Sequence, residues 1–551
     1  MLLIESLNIK KYYGDRLILD VEDLKIYSED RIGIVGVNGA GKTTLLNILC
    51  GQGESEEGFV KSYGSYCLAD QLSADKYENI DQKVAKEFEV SHIWSHNLSG
   101  GEKTRFKLAK CFEKENNIIF ADEPTSNLDL KGIQLIEKNF KGYRGALVII
   151  SHDREFLDKI CNKIIELEFG KIKIYNGNYT FFKKQKKSEK ERMLFEYEKY
   201  EKDKKRLEDA IDETKEKVKS MKKTPARMGN SEARLHRKMG NQKAKANLDK
   251  TAKGIKARID HLEVKEKPKE IQNIKLDSLS NGELHSNIII SAKNINKSFG
   301  DKIIFQGAEF NIYNNSKTAL IGPNGSGKST LIKMIMAKDH FVKRAQNMKI
   351  GYFSQDMDIL EEKANILENV MKDSIYDETF ARILLSRLLF KRQEVYKKIS
   401  VLSGGERVKI SFAKLFLSDI NLLILDEPTN YLDIYSLEVV EEVLKNYNRT
   451  VLFVSHDRKF VSAIANSILS IENNKINTFK GSYIEYMEKQ NNKIDISEEE
   501  LKKKIFVLEF RLSELIGKIS MPSKNDIVEQ LDKEYYEVLK QLKEIKASSR
   551  K

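Results

Sequence analysis

Two stretches carry the spacing of a phosphate-binding loop, Gly36-Val37-Asn38-Gly39-Ala40-Gly41-Lys42-Thr43-Thr44 and Gly322-Pro323-Asn324-Gly325-Ser326-Gly327-Lys328-Ser329-Thr330. Glycines there let backbone N–H groups turn inward around an anion, and a helix opening behind them adds its positive end. Lys42 and Lys328 would reach the β- and γ-phosphates of a nucleoside triphosphate, and the hydroxyls of Thr43 and Ser329 would contact Mg²⁺. Two apolar runs end in acidic pairs, Asp122-Glu123 and Asp426-Glu427. The aspartates suit a contact to Mg²⁺, and the glutamates suit a general base that polarises the attacking water. An acidic pair after a strand also suits a helix cap. Its place behind a phosphate loop favours the chemical reading. His152 and His456 follow the next apolar run, where a sensor of the γ-phosphate would sit. Ser151, Asp153, Ser455 and Asp457 beside them do not form hydrolase triads, because they are sequence neighbours and no separate base or oxyanion loop accompanies them.

These groups need elements to hold them, and the chain supplies the elements twice. Leu98-Ser99-Gly100-Gly101-Glu102 and Leu402-Ser403-Gly404-Gly405-Glu406 each open a helical stretch. Ser-Gly-Gly at a helix start presents amides and a hydroxyl to an anion with little side-chain bulk. Tyr13 and Phe299 lie 286 residues apart, as do Lys42 and Lys328, and Gln71 and Gln355 lie 284 apart. Ser99 and Ser403, Glu123 and Glu427, and His152 and His456 are all 304 apart. Between glutamine and serine the first copy has 28 positions and the second 48, so the first copy is locally shortened. Short β-branched runs such as RIGIVGVNG and NLLILDEP alternate with longer amphipathic stretches, which predicts an α/β layered fold with ligands at the carboxyl ends of the strands.

The repeated motif set resembles that of ATP-binding-cassette proteins. The resemblance implies two tandem cassettes in a monomer that close head to tail as an intramolecular dimer, with ATP and Mg²⁺ held between them. One composite site would join Gly36–Thr44, Gln71, Asp122, Glu123 and His152 to Ser403, Gly404 and Gly405. The other would join Gly322–Thr330, Gln355, Asp426, Glu427 and His456 to Ser99, Gly100 and Gly101. Thr43, Gln71 and Asp122, with Ser329, Gln355 and Asp426, would be the metal contacts. Tyr13 and Phe299 would stack on adenine, although ordinary strand packing explains such aromatics equally well without that context.

The chain is basic overall, at +12, and residues 214–258 hold 15 basic against 3 acidic side chains. So sharp a loss of acids favours a polyanionic partner over a merely solvated helix face. From about Phe182 the sequence turns charged and helical; the stretch of about 40 residues to Lys223 would reach about 60 Å at 1.5 Å per residue. A turn at Thr224–Asn230 precedes a second helix from Ser231 to about Glu263. Leu207, Ile211, Val218, Leu248, Ile255, Ile259 and Leu262 supply a seam between the two. The expected domains are a first cassette at 1–181, a hairpin linker at 182–270, a second cassette at 288–490 and a C-terminal helical extension at 497–546, either a solubilising tail or a further contact. Four isolated cysteines (Cys50, Cys67, Cys111, Cys161) argue against a disulfide framework or a zinc site and for a reducing cytoplasm. No apolar run reaches the ~18–20 residues of a membrane-spanning helix.

Joined cassettes with such a hairpin, and the runs Asn-Ser-Glu-Ala-Arg-Leu (230–235) and Gln-Lys-Ala-Lys (242–245), resemble the ABC-F family. That resemblance implies a partner in the 70S ribosome, its ribosomal RNA and the peptidyl-site tRNA, reached from the tRNA exit site. The tip Lys222, Lys223, Thr224, Pro225, Ala226, Arg227 and Met228 would point toward the peptidyl-transferase centre. The shortened segment and Ala121–Asp129 are closer to the Vga- and Vml-like resistance members, which implies protection against lincosamides, pleuromutilins and streptogramins A. A housekeeping translation factor of the same family is the alternative.

Overall fold

The computed structural model describes residues 1–70, 79–220, 241–265, 284, 286–354, 359–429, 432–520 and 528–548. The chain forms two compact units. One comprises Met1–Lys275 with Arg382–Arg392 and Asp433–Ser436; the other comprises Leu276–Ala381, Gln393–Leu432 and Leu437–Lys551.

In the first unit β1 (Leu2–Tyr13), β2 (Arg16–Tyr27), β3 (Arg31–Val35), β4 (Glu57–Ser62), β5 (Tyr66–Ala69), β6 (Ile118–Asp122), β7 (Ala146–Ile150), β8 (Lys163–Glu168) and β9 (Lys171–Asn176) build two sheets. A small antiparallel sheet runs β2-β1-β4, and a larger one runs β5-β6-β7-β3-β8-β9. The large sheet is parallel apart from its last pair, β8 with β9. Every residue of β6 and β7 is buried. This explains their unbroken apolar composition, since a parallel sheet is covered on both faces. One face packs on the helix Lys42–Leu49 and the antiparallel sheet, the other on the helices Gly100–Glu113, Leu130–Gly142 and Arg154–Ile160.

The second unit repeats this plan with β10 (Ile288–Phe299), β11 (Lys302–Tyr313), β12 (Lys317–Ile321), β13 (Val342–Arg344), β14 (Ile350–Phe353), β15 (Leu422–Asp426), β16 (Thr450–Val454), β17 (Ser467–Glu472) and β18 (Lys475–Lys480). Its sheets run β11-β10-β13 and β14-β15-β16-β12-β17-β18. The local shortening of the first copy takes a concrete form. Between glutamine and signature the second copy holds the helices Ile366–Met371 and Glu378–Arg387, whereas the described residues of the first hold Gln82–Glu87 alone.

The helix that leaves the first cassette, Tyr179–Ser220, is rooted inside it, with Tyr179 and Phe182 buried. Its 42 residues span about 63 Å. It packs against Asn241–Asp260, and Leu207, Ile211, Val218, Leu248, Ile255, Ile259 and Leu262 are each half-buried. The tip Lys222–Met228 lies outside the described residues. At the other end, Tyr483–Ser520 and Val528–Ser548 pair around Leu512, Leu515, Val538 and Leu542. Arg511 ties the pair by donating to Glu534 of the second helix at 2.7 Å, and it is steadied by Glu514 of its own helix, also at 2.7 Å.

One expectation is corrected. Cys67 and Cys111, 44 residues apart, are joined by a disulfide. Spacing along the chain concealed the pair because it forms only when β5 lies beside the helix Gly100–Glu113. Cys50 and Cys161 are free and buried. Among the described residues no helix is long and apolar enough to cross a membrane.

Phe120 at the centre of β6 is fully buried. Phe120→Ala should destabilise the first unit by about 3–5 kcal/mol. In calorimetry the transition assigned to that unit should move to lower temperature while the second cassette's stays in place.

Candidate active sites

Register places the chemistry. Asp122, the last residue of β6, pairs with Ile150 of β7, and Ile150 pairs with Ile34 of β3. One row across three strands therefore carries the acidic pair, the start of Ser151-His152 and the entry to the phosphate loop. The second copy repeats the row with Asp426, Val454 and Leu320.

The phosphate loops turn into their helices through Gly41 (φ 101°) and Gly327 (φ 105°), in the left-handed region that favours glycine. Space forbids a side chain as well. A Cβ on Gly41 would stand 2.8 Å from Ile18 Cγ2, and one on Gly327 would stand 2.4 Å from Ile304 Cγ2. Lys42 Nζ donates to the carbonyls of Gly36 (2.9 Å) and Val37 (3.1 Å), and Lys328 Nζ to those of Gly322 (2.9 Å) and Pro323 (3.2 Å). Each ammonium is thus held across the mouth of its own loop. Thr43 Oγ1 donates to Asp122 Oδ2 at 2.8 Å, and Ser329 is hydrogen-bonded to Asp426. A hydroxyl and a carboxylate converge beneath each loop, a donor set that fits Mg²⁺ completed by phosphate oxygens and water. Among the described residues no cluster of three or more His, Cys, Asp or Glu could hold a metal without such help.

Glu123 (φ 51°) and Glu427 (φ 49°) occupy the left-handed region although neither is glycine. Such strain costs about 1–3 kcal/mol and persists where surrounding structure enforces it. Here Glu123 N–H donates to Ile150 O at 2.9 Å and Glu427 N–H to Val454 O at 3.1 Å. The carboxylates face the histidines: His152 Nε2 is 3.3 Å from Glu123 Oε1, and His456 Nε2 is 3.1 Å from Glu427 Oε1. Burial, reinforced by Asp122, pushes Glu123 up to about 8. Burial likewise pushes Glu427 up to about 7, with Lys328 opposing and Asp426 adding to the rise. Asp122 and Asp426 are also raised, chiefly by burial. Two of these acids are therefore poised near neutral pH, the range suited to proton transfer. A cavity of about 300 Å³ opens beside Glu123 and is lined also by Trp94, His96, Lys103 and Thr104.

The signature serines are helix caps in their own cassettes. Ser99 Oγ accepts from Glu102 N–H (3.3 Å) while Glu102 accepts from Ser99 N–H (2.8 Å), and Ser403 and Glu406 repeat the box at 3.4 and 2.9 Å. Both serines are exposed, and each hydroxyl also donates to its own glutamate at 2.7 Å, so an anion bound there would have to draw the hydroxyl away from Glu102 or Glu406. Gly101 is needed for packing too, since its Cβ would lie 2.8 Å from Asn127 O. Tyr13 and Phe299 are 60% and 59% exposed. That weakens strand packing as their explanation and leaves both rings open to stack on a base. Gln71 and Gln355 lie outside the described residues. Asp153 and Asp457 cap the helices that follow them, which accounts for both without hydrolase chemistry.

Sequence reasoning missed Asp433, whose Oδ1 accepts from Ser436 N–H at 2.8 Å and whose Oδ2 accepts from the phosphate-loop amide of Asn38 at 3.4 Å. Its signal was the offset of 304 from Asp129. It also missed Glu166, which in the strand Lys-Ile-Ile-Glu-Leu-Glu reads no differently from its neighbour Glu168 and is set apart only by burial.

A phosphate loop, an acidic strand end, a histidine and a Ser-Gly-Gly helix start gathered on one parallel sheet make an ATP-binding cassette, and this ATPase has two. A family model described as ABC transporter matches residues 19–83 and 305–430, and a second of the same description matches 165–239. The chain is 31% identical to "Ribosome protection protein VmlR" of Bacillus subtilis over 99% of its length and 98% of that protein's. It is 31% identical to "Erythromycin resistance ATP-binding protein MsrA" of Staphylococcus epidermidis, over 81% of this chain and 93% of that one. To "ABC transporter F family member 5" of Arabidopsis thaliana it is 30% identical, over 94% and 80%. The chain belongs to the ABC-F family.

The raised carboxyls also predict a pH dependence of stability. An acid whose folded pKa lies above its unfolded value, about 4.3 for Glu, contributes stability that is complete below that value and lost as pH rises through 7 to 8. Without nucleotide, the urea midpoint of the wild type should therefore fall between pH 6 and pH 9 by more than that of Glu123→Gln/Glu427→Gln. Equal falls would refute the buried acids as its source.

Proposed function

We propose that the chain protects ribosomes from antibiotics of the peptidyl-transferase centre, with ATP binding setting the linker in place and hydrolysis releasing it. The observation that carries this reading is the helix Tyr179–Ser220, about 63 Å long and rooted in a cassette core, leading toward a segment with 15 basic and 3 acidic side chains. A long basic hairpin suits penetration of an RNA particle, where neutralised phosphates supply affinity. Likeness to a ribosome protection protein along nearly the whole chain supports the same reading. The drugs proposed are lincosamides, pleuromutilins and streptogramins A, and the site of action is the cytoplasmic 70S ribosome, approached from the tRNA exit site with Lys222–Met228 foremost.

In the proposed reaction each ATP is closed between the phosphate loop of one cassette and the signature of the other. Loop amides of Gly36–Thr44 and Lys42 bind the β- and γ-phosphates, Tyr13 stacks on the base, and Ser403, Gly404 and Gly405 complete the site. Gly322–Thr330, Phe299, Ser99, Gly100 and Gly101 do the same for the second nucleotide. Thr43 with Asp122, and Ser329 with Asp426, would hold Mg²⁺, which neutralises charge on the phosphates; Gln71 and Gln355 would complete its contacts. Glu123 or Glu427 accepts a proton from water as its oxygen attacks the γ-phosphorus, and the bond to the β–γ bridging oxygen breaks to give ADP and phosphate. His152 and His456 hold the carboxylate's orientation.

Glu123→Gln/Glu427→Gln should cut hydrolysis by at least about 100-fold while nucleotide binding persists, and should hold the chain on ribosomes in a sedimentation assay. Dissociation at the wild-type rate would refute closure on ATP. Expressed in a sensitive bacterium, the wild type should raise the inhibitory concentrations of lincomycin and tiamulin. If neither moves, the housekeeping reading replaces protection.

A further inference from the structure

Glu166, in β8, is 3% exposed and gathers three donors. Lys186 Nζ lies 2.5 Å from it, Tyr175 OH donates at 3.2 Å, and Tyr435 OH donates to its other oxygen. These partners come from different elements. Lys186 stands on the linker helix Tyr179–Ser220, Tyr175 on β9, and Tyr435 in Asp433–Ser436, the short stretch that belongs to the first unit. Ile434 is buried in the same core as Tyr175, Tyr179 and Phe182, so this stretch is packed against the root of the linker helix. Tyr175 OH also reaches Glu189 at 3.3 Å, one turn further along that helix. Burial and Glu166 together raise the Tyr435 hydroxyl, so it remains the proton donor of its pair.

Two residues before Tyr435, Asp433 accepts from the amide of Asn38 in the phosphate loop. One helical turn thus touches the nucleotide loop at one end and the linker root at the other. The second copy lacks the buried carboxylate and its lysine. At the same offset of 304, Ser470 replaces Glu166, Phe479 replaces Tyr175 and Gln490 replaces Lys186, while Lys131 takes the place of Tyr435 in the first copy. There the following helix is held around an exposed acid instead: Tyr486 OH donates to Glu472 at 3.0 Å and is hydrogen-bonded to Ser470, and Gln490 Nε2 donates to Tyr486 OH at 3.0 Å. The cassette that sends out the linker is the one with a buried charge at its root.

We propose that Tyr435 and Glu166 are a positioning pair that transmits occupancy of the Gly36–Thr44 loop to the linker helix through Lys186. A nucleotide phosphate that moves the Asn38 amide shifts Asp433, and with it the turn carrying Tyr435. The Tyr435–Glu166 bond passes that shift to a carboxylate which cannot turn to water and must move with Lys186. Charge-assisted hydrogen bonds at a buried carboxylate have the stiffness and energy for this role. The inference rests on nucleotide binding at the first phosphate loop and is independent of the ribosome.

Hydrogen exchange of the full chain, with and without a non-hydrolysable ATP analogue and Mg²⁺, tests it when paired with titration by a fluorescent ATP analogue. In the wild type the analogue should slow amide exchange in residues 183–195 by about tenfold, the scale of one charge-assisted hydrogen bond. Tyr435→Phe, which removes a single hydroxyl, should bind the analogue within about twofold of wild type and lose that slowing. Glu166→Gln should lose it as well, and the double variant should lose no more than either single one. Full slowing in Tyr435→Phe, or additive losses, would overturn the proposal. Wild-type binding without any slowing would overturn it alone, whereas no wild-type binding would overturn it together with the nucleotide site.

Discussion

Both cassettes depend on one constraint: a carboxylate is forced into a buried corner where its charge is costly. Glu123 and Glu427 follow the last residue of a fully enclosed strand at positive φ, pinned by their amides to the neighbouring strand. Burial raises their proton affinity toward neutrality. The lysine of the phosphate loop and the histidine after β7 or β16 are what make the corner tolerable. Strain and desolvation of this size survive only because the parallel sheet holds three strand ends in one row.

That row also explains why the surrounding motifs combine two duties. Ser99 and Ser403 close capping boxes at the exposed start of the signature helices. Gly101 allows close approach to Asn127 and leaves room at the helix start. Asp433 caps a helix and holds a phosphate-loop amide. At Gly101 and Asp433 the structural role pre-orients the chemical one, so little ordering remains to be done there when a nucleotide arrives.

The two copies differ where their surroundings differ. The first is shortened between glutamine and signature, and the second keeps the helix Glu378–Arg387 there. The strand acid Glu166 has only a serine as its counterpart, and the helix leaving the first cassette is anchored by an ion pair to a buried acid, where the second is anchored by uncharged side chains to the exposed Glu472. An uncompensated buried acid would be costly. Three donors compensate this one, and they make it sensitive to movement in any of the elements that supply them.

The sequence by itself determined the phosphate loops, the acidic pairs, the signature helices, the repeat with its local shortening and the helical linker. Each is a local demand: a glycine where φ must be positive, a serine where a helix needs a cap, an apolar seam at helical spacing. Only the tertiary structure decided that Cys67 meets Cys111, that Tyr13 and Phe299 stand exposed, that Glu123 and Glu427 are shifted toward neutral pH, and that Glu166 binds residues 9, 20 and 269 positions away. Those facts depend on which strands lie side by side and how deeply they are covered. Short-range pattern does not carry that information, because burial and long-range pairing are properties of the assembled sheet and not of any one segment.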